Sequence, residues 1–125
     1  EAHYNVSDQR EGRAYGGFSY GGMTGGIVLS QYPTTFGYYG FFSAQPELRV
    51  DVDAVAAALG DEPLTVFLGN GSFEGPLAVE DPVAESLRGV GVAVSTTQVP
   101  GAHDGMTAGQ LFTIFARDHL WRAPA

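Results

Sequence analysis

The chain has 125 residues, of which 44% are apolar and 16% charged, with 14 acidic side chains against 6 basic ones and a formal net charge of -8. That length predicts one globular domain; the charge argues against a nucleic-acid partner, and no apolar run is long enough to span a bilayer. Cysteine is absent, which excludes disulfides, thiolate metal sites and cysteine nucleophiles and leaves the compartment unread.

The opening Glu1-Ala2-His3-Tyr4 has neither a basic nor an apolar stretch of the kind a secretory leader carries, so any such leader would lie outside this chain. Arg13 to Gly17 then reads as a short strand leading into Ser19. Tyr20 to Gln31 reads as a helix, with Met23, Ile27, Val28 and Leu29 at near-helical spacing and Tyr32-Pro33 as its stop. This helix contains Gly21, Gly22, Gly25 and Gly26, each costing about 1 kcal/mol relative to alanine in an exposed helix interior. Close packing against a sheet is the expected compensation.

Gly37 to Ser43, GYYGFFS, is a continuous aromatic run that suits a strand buried on both faces. Val52 to Leu59 is an alanine-rich helix with Asp51 or Asp53 near its start and Gly60 at its end. Leu64 to Leu68, LTVFL, is the clearest strand. Glu80 to Gly89 reads as a helix with Asp81 as N-cap and Pro82 in the first turn. Val90 to Val99 supplies a fourth strand, and Thr107 to Leu120 an amphipathic helix bearing Leu111, Phe112, Ile114, Phe115 and Leu120. A strand followed by a helix, four times over, predicts an α/β three-layer sandwich on a mostly parallel sheet. In such sheets, functional groups collect in the loops that follow the strands.

The first of these loops holds Gly17-Phe18-Ser19-Tyr20-Gly21, a G-x-S-x-G sequence between strand and helix, the pattern of a nucleophile elbow. The elbow pushes the serine hydroxyl outward on a strained turn, and side chains at positions 17 and 21 are expected to collide with neighbouring backbone. After the third strand comes Asn70-Gly71-Ser72-Phe73-Glu74-Gly75, and after the fourth Pro100-Gly101-Ala102-His103-Asp104-Gly105. The chain therefore offers a serine, an acid and a histidine at one edge of the sheet, in the order of an α/β-hydrolase. The chemistry needs each type: a hydroxyl to attack a carbonyl, an imidazole to take and return its proton, and a carboxylate to orient the imidazole and stabilise its cation. Ser19, His103 and Glu74 are the candidates.

Glu80 and Asp81 read as charges at a helix start, and Asp104 as a turn residue that bonds its own backbone. His3 and His119 read as surface or structural residues. Asn5-Val6-Ser7 and Asn70-Gly71-Ser72 fit the glycosylation sequon.

Four segments carry a family resemblance: RAYGGFSYGGMTGGIVLSQYPTTFGYYGFFSAQP at Arg13 to Pro46, VFLGNGSFEG at Val66 to Gly75, VPGAHDG at Val99 to Gly105, and Leu120-Trp121. Together they resemble the carboxyl-terminal half of an esterase family of α/β-hydrolases that includes feruloyl and acetyl-xylan esterases, enterochelin esterases, S-formylglutathione hydrolases and mycolyltransferases. The resemblance covers nearly the whole chain, HYNVSDQREGRA included. It implies Ser19 as nucleophile, His103 as base and the backbone N–H of Tyr20 as an oxyanion donor, with no cofactor or metal. Two departures stand out. Ser72 occupies the place of the family's aspartate, so either Glu74 stands in or the triad is impaired, and Gly105 and Ala108 occupy places where the family has tryptophans. The resemblance also implies a partial domain over residues 1–125, lacking the amino-terminal strands and the second oxyanion donor, and completed by an amino-terminal half or another copy of the chain.

Two function classes follow. One is a serine carboxylic ester hydrolase working through an acyl-enzyme on a small-molecule or carbohydrate ester, with acyl transfer to another alcohol as the same chemistry. The other is a non-catalytic α/β-hydrolase-like module with a binding or structural role. A flavodoxin-like nucleotide domain is disfavoured, because no phosphate-cradling glycine loop precedes a helix except the elbow itself.

Overall fold

The computed structural model describes residues 3–75 and 81–122. Four strands alternate with four helices: β1 (Ala14–Phe18), α1 (Tyr20–Gln31), β2 (Tyr38–Phe42), α2 (Val52–Leu59), β3 (Thr65–Gly71), α3 (Pro82–Gly89), β4 (Ala93–Val99) and α4 (Gly105–Ile114). All strands are parallel and lie in the order β1-β2-β3-β4, with Gly17 beside Phe41, Phe41 beside Leu68 and Leu68 beside Thr96. Right-handed crossovers that step one way along a sheet leave their helices on one face. Accordingly Leu29 of α1, Val55 of α2 and Leu87 of α3 share a core with Tyr39, Phe41, Val66 and Leu68. On the opposite face Leu111 and Phe115 pack with Phe42, Phe67 and Val99. The period of two along β2 and β3 sends alternate side chains to the two layers, which is why both sequences are mostly apolar and every residue of β3 is buried, polar Thr65 and Asn70 included.

The cost of glycine in α1 is offset by proximity. A Cβ on Gly25 would sit 2.5 Å from the Tyr15 ring and 2.8 Å from Phe41, so only glycine lets the helix approach the sheet at that height. Helix starts follow the expected caps: Asp51 accepts from the Ala54 amide at 3.1 Å and Asp81 from the Val83 amide at 2.7 Å. Gly60 closes α2 with a φ of +55°. Glu80 lies outside the described residues.

Some boundaries differ from the sequence expectation. β4 begins at Ala93 rather than Val90, because Val90, Gly91 and Val92 all donate to carbonyls at the end of α3 and form its terminal turn. β3 runs on to Gly71, through polar Asn70, because hydrogen bonding to β4 continues to Val99. The last helix starts at Gly105 and is not one amphipathic unit to Leu120. It widens into a π-helical turn over Phe115–His119, closed by the Leu120 amide on the Phe115 carbonyl at 3.0 Å, and Phe112 points outward.

Candidate active site

Ser19 stands between β1 and α1 with φ 59° and ψ -115°, a conformation that non-glycine residues hold only when their surroundings impose it. Three contacts impose it. The Ser19 amide donates to the Phe42 carbonyl at 2.8 Å, the Met23 amide donates to the Ser19 carbonyl at 3.0 Å, and the Tyr15 hydroxyl, rising from β1, donates to the Gly21 carbonyl at 2.6 Å. Burial pushes the Tyr15 hydroxyl pKa up, which keeps this donor protonated.

The flanking glycines do not play the equal roles expected of them. A Cβ on Gly17 would lie 2.3 Å from the Gly21 carbonyl oxygen, an impossible approach, whereas one on Gly21 would meet nothing within 4 Å. The second tight position is Gly22, where a Cβ would come 2.7 Å from that of Ala44. The first turn of α1 leans on β1 through residues 17 and 22, and position 21 faces outward.

The Ser19 Oγ lies 2.8 Å from the His103 Nε2, and the His103 Nδ1 lies 2.5 Å from the Glu74 Oε1. A carboxylate at Glu74 only accepts, so this geometry suits the tautomer with the ring proton on Nδ1 and the Nε2 lone pair facing the serine hydroxyl. Glu74 reaches this place because β3 ends in a tight turn: the Glu74 amide donates to the Gly71 carbonyl at 3.0 Å and the chain curls back beneath the histidine loop. Its Oε2 accepts from the Gly71 amide at 2.5 Å and from the Ser43 hydroxyl at 2.7 Å. The Glu74 side chain is only 9% exposed, against 53% for His103. The imidazole is steadied on its other side by Phe18, with ring centroids 4.9 Å apart.

Ser72, where the resemblance implies an aspartate, turns elsewhere: its Oγ accepts from the Gly101 amide at 3.4 Å and helps to close the histidine loop against the β3 turn. Asp104 caps α4, accepting from the Thr107 amide at 2.9 Å, and that bond above all lowers its pKa. His119 lies far along the last helix, its ring 5.2 Å from that of Phe67, and burial lowers its pKa. His3 is exposed. Asn70 is buried within β3, where a glycosylating enzyme could not reach its amide, and Asn5 is exposed.

A cleft of about 600 Å³ opens over the serine. Tyr20, Met23, Gln45 and Phe73 line it beside Ser19 and His103, and Phe73 and Tyr20 are largely exposed at its mouth. The Tyr20 amide belongs to the first turn of α1, where backbone N–H groups have no carbonyl within the helix to bond and the helix dipole favours negative charge. Among the described residues no group of three or more His, Asp or Glu side chains is arranged to hold a metal ion, and no helix is long and apolar enough to cross a membrane.

Several solved structures share this arrangement of strands and helices. A ferulic acid esterase superposes with a TM-score of 0.59 at 17% identity, over 90% of this chain and 52% of its own. The chain shares the fold of that structure over the part that superposes. An S-formylglutathione hydrolase from Staphylococcus aureus gives 0.58 at 14% identity, over 89% of this chain and 54% of its own. An enterochelin esterase from Shigella flexneri gives 0.55 at 18%, over 87% and 32%. The chain thus spans about half the length of the first two structures and about a third of the last. No family model and no curated protein sequence matches it.

Two contributors to the candidate site escaped the sequence reading. Ser43 opens the loop after β2, the one strand whose following loop offered no serine–acid–histidine candidate, and Phe18 sits inside the elbow as its variable residue. The signal for Ser43 was present, since it too follows a strand at the functional edge of the sheet.

Proposed function

We propose that this chain carries the nucleophile, base and acid of a serine carboxylic ester hydrolase. The observation that supports the reading best is the continuous chain of contacts from the Ser19 hydroxyl through both His103 nitrogens to a largely buried Glu74 carboxylate. In this reading Ser19 Oγ attacks the ester carbonyl while His103 Nε2 takes its proton. The Tyr20 N–H helps to hold the oxyanion of the tetrahedral intermediate. Collapse expels the alcohol, which takes its proton from His103, and leaves an acyl group on Ser19. Water, deprotonated by the same imidazole, then releases the acid and restores the serine. Another alcohol in place of water would make the chain an acyltransferase by the same steps.

Glu74 orients the ring from Nδ1 and stabilises its cation. The esterase names of the similar structures support the reaction class, and they agree on no single acyl group. An ester of a small molecule or carbohydrate is the substrate class we assign.

The test is covalent labelling. A fluorophosphonate probe is expected to modify Ser19, and a short-chain p-nitrophenyl ester to be cleaved by wild type and not by Ser19→Ala. An unlabelled Ser19, or equal hydrolysis by the alanine variant, would favour a non-catalytic binding or structural module instead.

A further inference from the structure

Ser43 sits immediately after β2 with a φ of +53°, in the left-handed region that residues with a side chain rarely adopt, and is only 4% exposed. Nothing in the strand itself calls for a bend of that kind at a serine; glycine would hold the same backbone without penalty. The turn is pinned by the Ser43 amide, which donates to the Gly69 carbonyl at 2.8 Å, so the hydroxyl is delivered to one place. That place is the Glu74 Oε2, at 2.7 Å.

Glu74 thereby has both oxygens committed. Oε2 is held by two donors from two different strand ends, Ser43 after β2 and Gly71 at the end of β3, and Oε1 is left facing His103. With the Gly71 contact alone, the carboxyl group could swing about its last torsion. The second donor fixes the plane.

We propose that Ser43 is a positioning residue for the active site: its hydroxyl locks the Glu74 carboxylate in the orientation that presents Oε1 to His103, at the expense of a strained backbone. The inference rests on the Ser19–His103–Glu74 reading above. Loss of a hydrogen bond to a charged acceptor is large enough to be seen in turnover, and because Ser43 acts through Glu74, its effect depends on Glu74 being there.

The experiment compares the Ser43→Gly and Ser43→Ala variants of the full chain, using p-nitrophenyl ester hydrolysis, the rate of fluorophosphonate labelling at Ser19, and thermal melts. Both variants are expected to lose about tenfold in kcat and in labelling rate, with KM within about twofold of wild type. Ser43→Gly is expected to melt no lower than wild type, since glycine relieves the left-handed strain, and above Ser43→Ala. In a Glu74→Ala background, either substitution should leave the labelling rate unchanged. Wild-type rates in either Ser43 variant, or an undiminished tenfold loss without Glu74, would overturn the role assigned to Ser43. Those outcomes leave the enzymatic reading standing as long as Ser19 is labelled. A wild-type chain in which Ser19 is neither labelled nor needed for hydrolysis overturns both.

Discussion

Replacing Glu74 by glutamine keeps the shape of the side chain and removes its charge, and the surroundings dictate how the amide must sit. Two donors, the Ser43 hydroxyl and the Gly71 amide, point at the Oε2 position, so the carbonyl oxygen of glutamine belongs there. The NH2 group is then forced against His103 Nδ1, which has to accept instead of donate. The ring proton moves to Nε2, and the atom that should take the proton of Ser19 already carries one. Loss of charge sets a lower bound on the damage. Unit charges about 4 Å apart attract by about 4 kcal/mol at an effective dielectric of about 20. With half of the His103 side chain open to water, we take about 2 kcal/mol as felt by the imidazolium in the transition state, or about thirtyfold in rate. The wrong tautomer sets an upper bound of about 10⁴-fold. Because the amide has only one comfortable orientation, Glu74→Gln is expected near the upper end, at 10³-fold or more in kcat, roughly, with KM within about threefold. Glu74→Ala, which leaves Nδ1 free to donate to water, should be the faster of the two despite its poorer fit. The assay is steady-state hydrolysis of a p-nitrophenyl ester, with fluorophosphonate labelling of Ser19 for slow variants. A glutamine variant that loses less than about thirtyfold, or that outpaces the alanine variant, refutes the tautomer argument.

Two further outcomes follow from the elbow and the core. Gly17→Ala places a methyl group 2.3 Å from the Gly21 carbonyl oxygen, so it should destabilise the chain by about 3 kcal/mol and abolish labelling of Ser19. Gly21→Ala meets nothing within 4 Å and gains helix propensity, so it should stabilise by up to about 1 kcal/mol, or roughly 4 °C in Tm. Equal melting temperatures for the two variants would contradict this asymmetry. In the core, burial pushes the Tyr39 hydroxyl up from 10.0 to about 12. The folded state therefore keeps a proton that the unfolded chain gives up above pH 10, and the stability this represents, full below pH 10, is lost as the pH rises through about 12. Urea midpoints of wild type should fall across that window, and less steeply for Tyr39→Phe; identical slopes would assign the alkaline loss to other groups.

Much of the fold was legible in the sequence because its signals are local. Glycine and proline punctuation, the caps at Asp51 and Asp81, and the aromatic run of β2 each depend on a few neighbouring residues. The boundaries that shifted depend on distant partners. β3 extends through polar Asn70 because β4 runs beside it, and the last helix opens into a π-helical turn where Phe115 packs with Phe42 and Phe67. Of the site, Ser19 and His103 stood out through their place after a strand and before a helix. Glu74 was the candidate acid as the first carboxylate after β3, but whether it reaches His103 from two residues past Ser72 was not legible, since that depends on the direction in which the turn sends each side chain.

The amino-acid sequence by itself determined the alternation of strand and helix, and with it the edge of the sheet at which reactive groups gather, because hydrophobic period and turn chemistry are written residue by residue. Only the tertiary structure decided that Glu74 faces His103. The turn after β3 sends Ser72 to the histidine loop and folds Glu74 back under the imidazole, where Ser43 meets it. That choice rests on hydrogen bonds between the ends of three neighbouring strands, and such bonds exist only once the strands have been laid side by side.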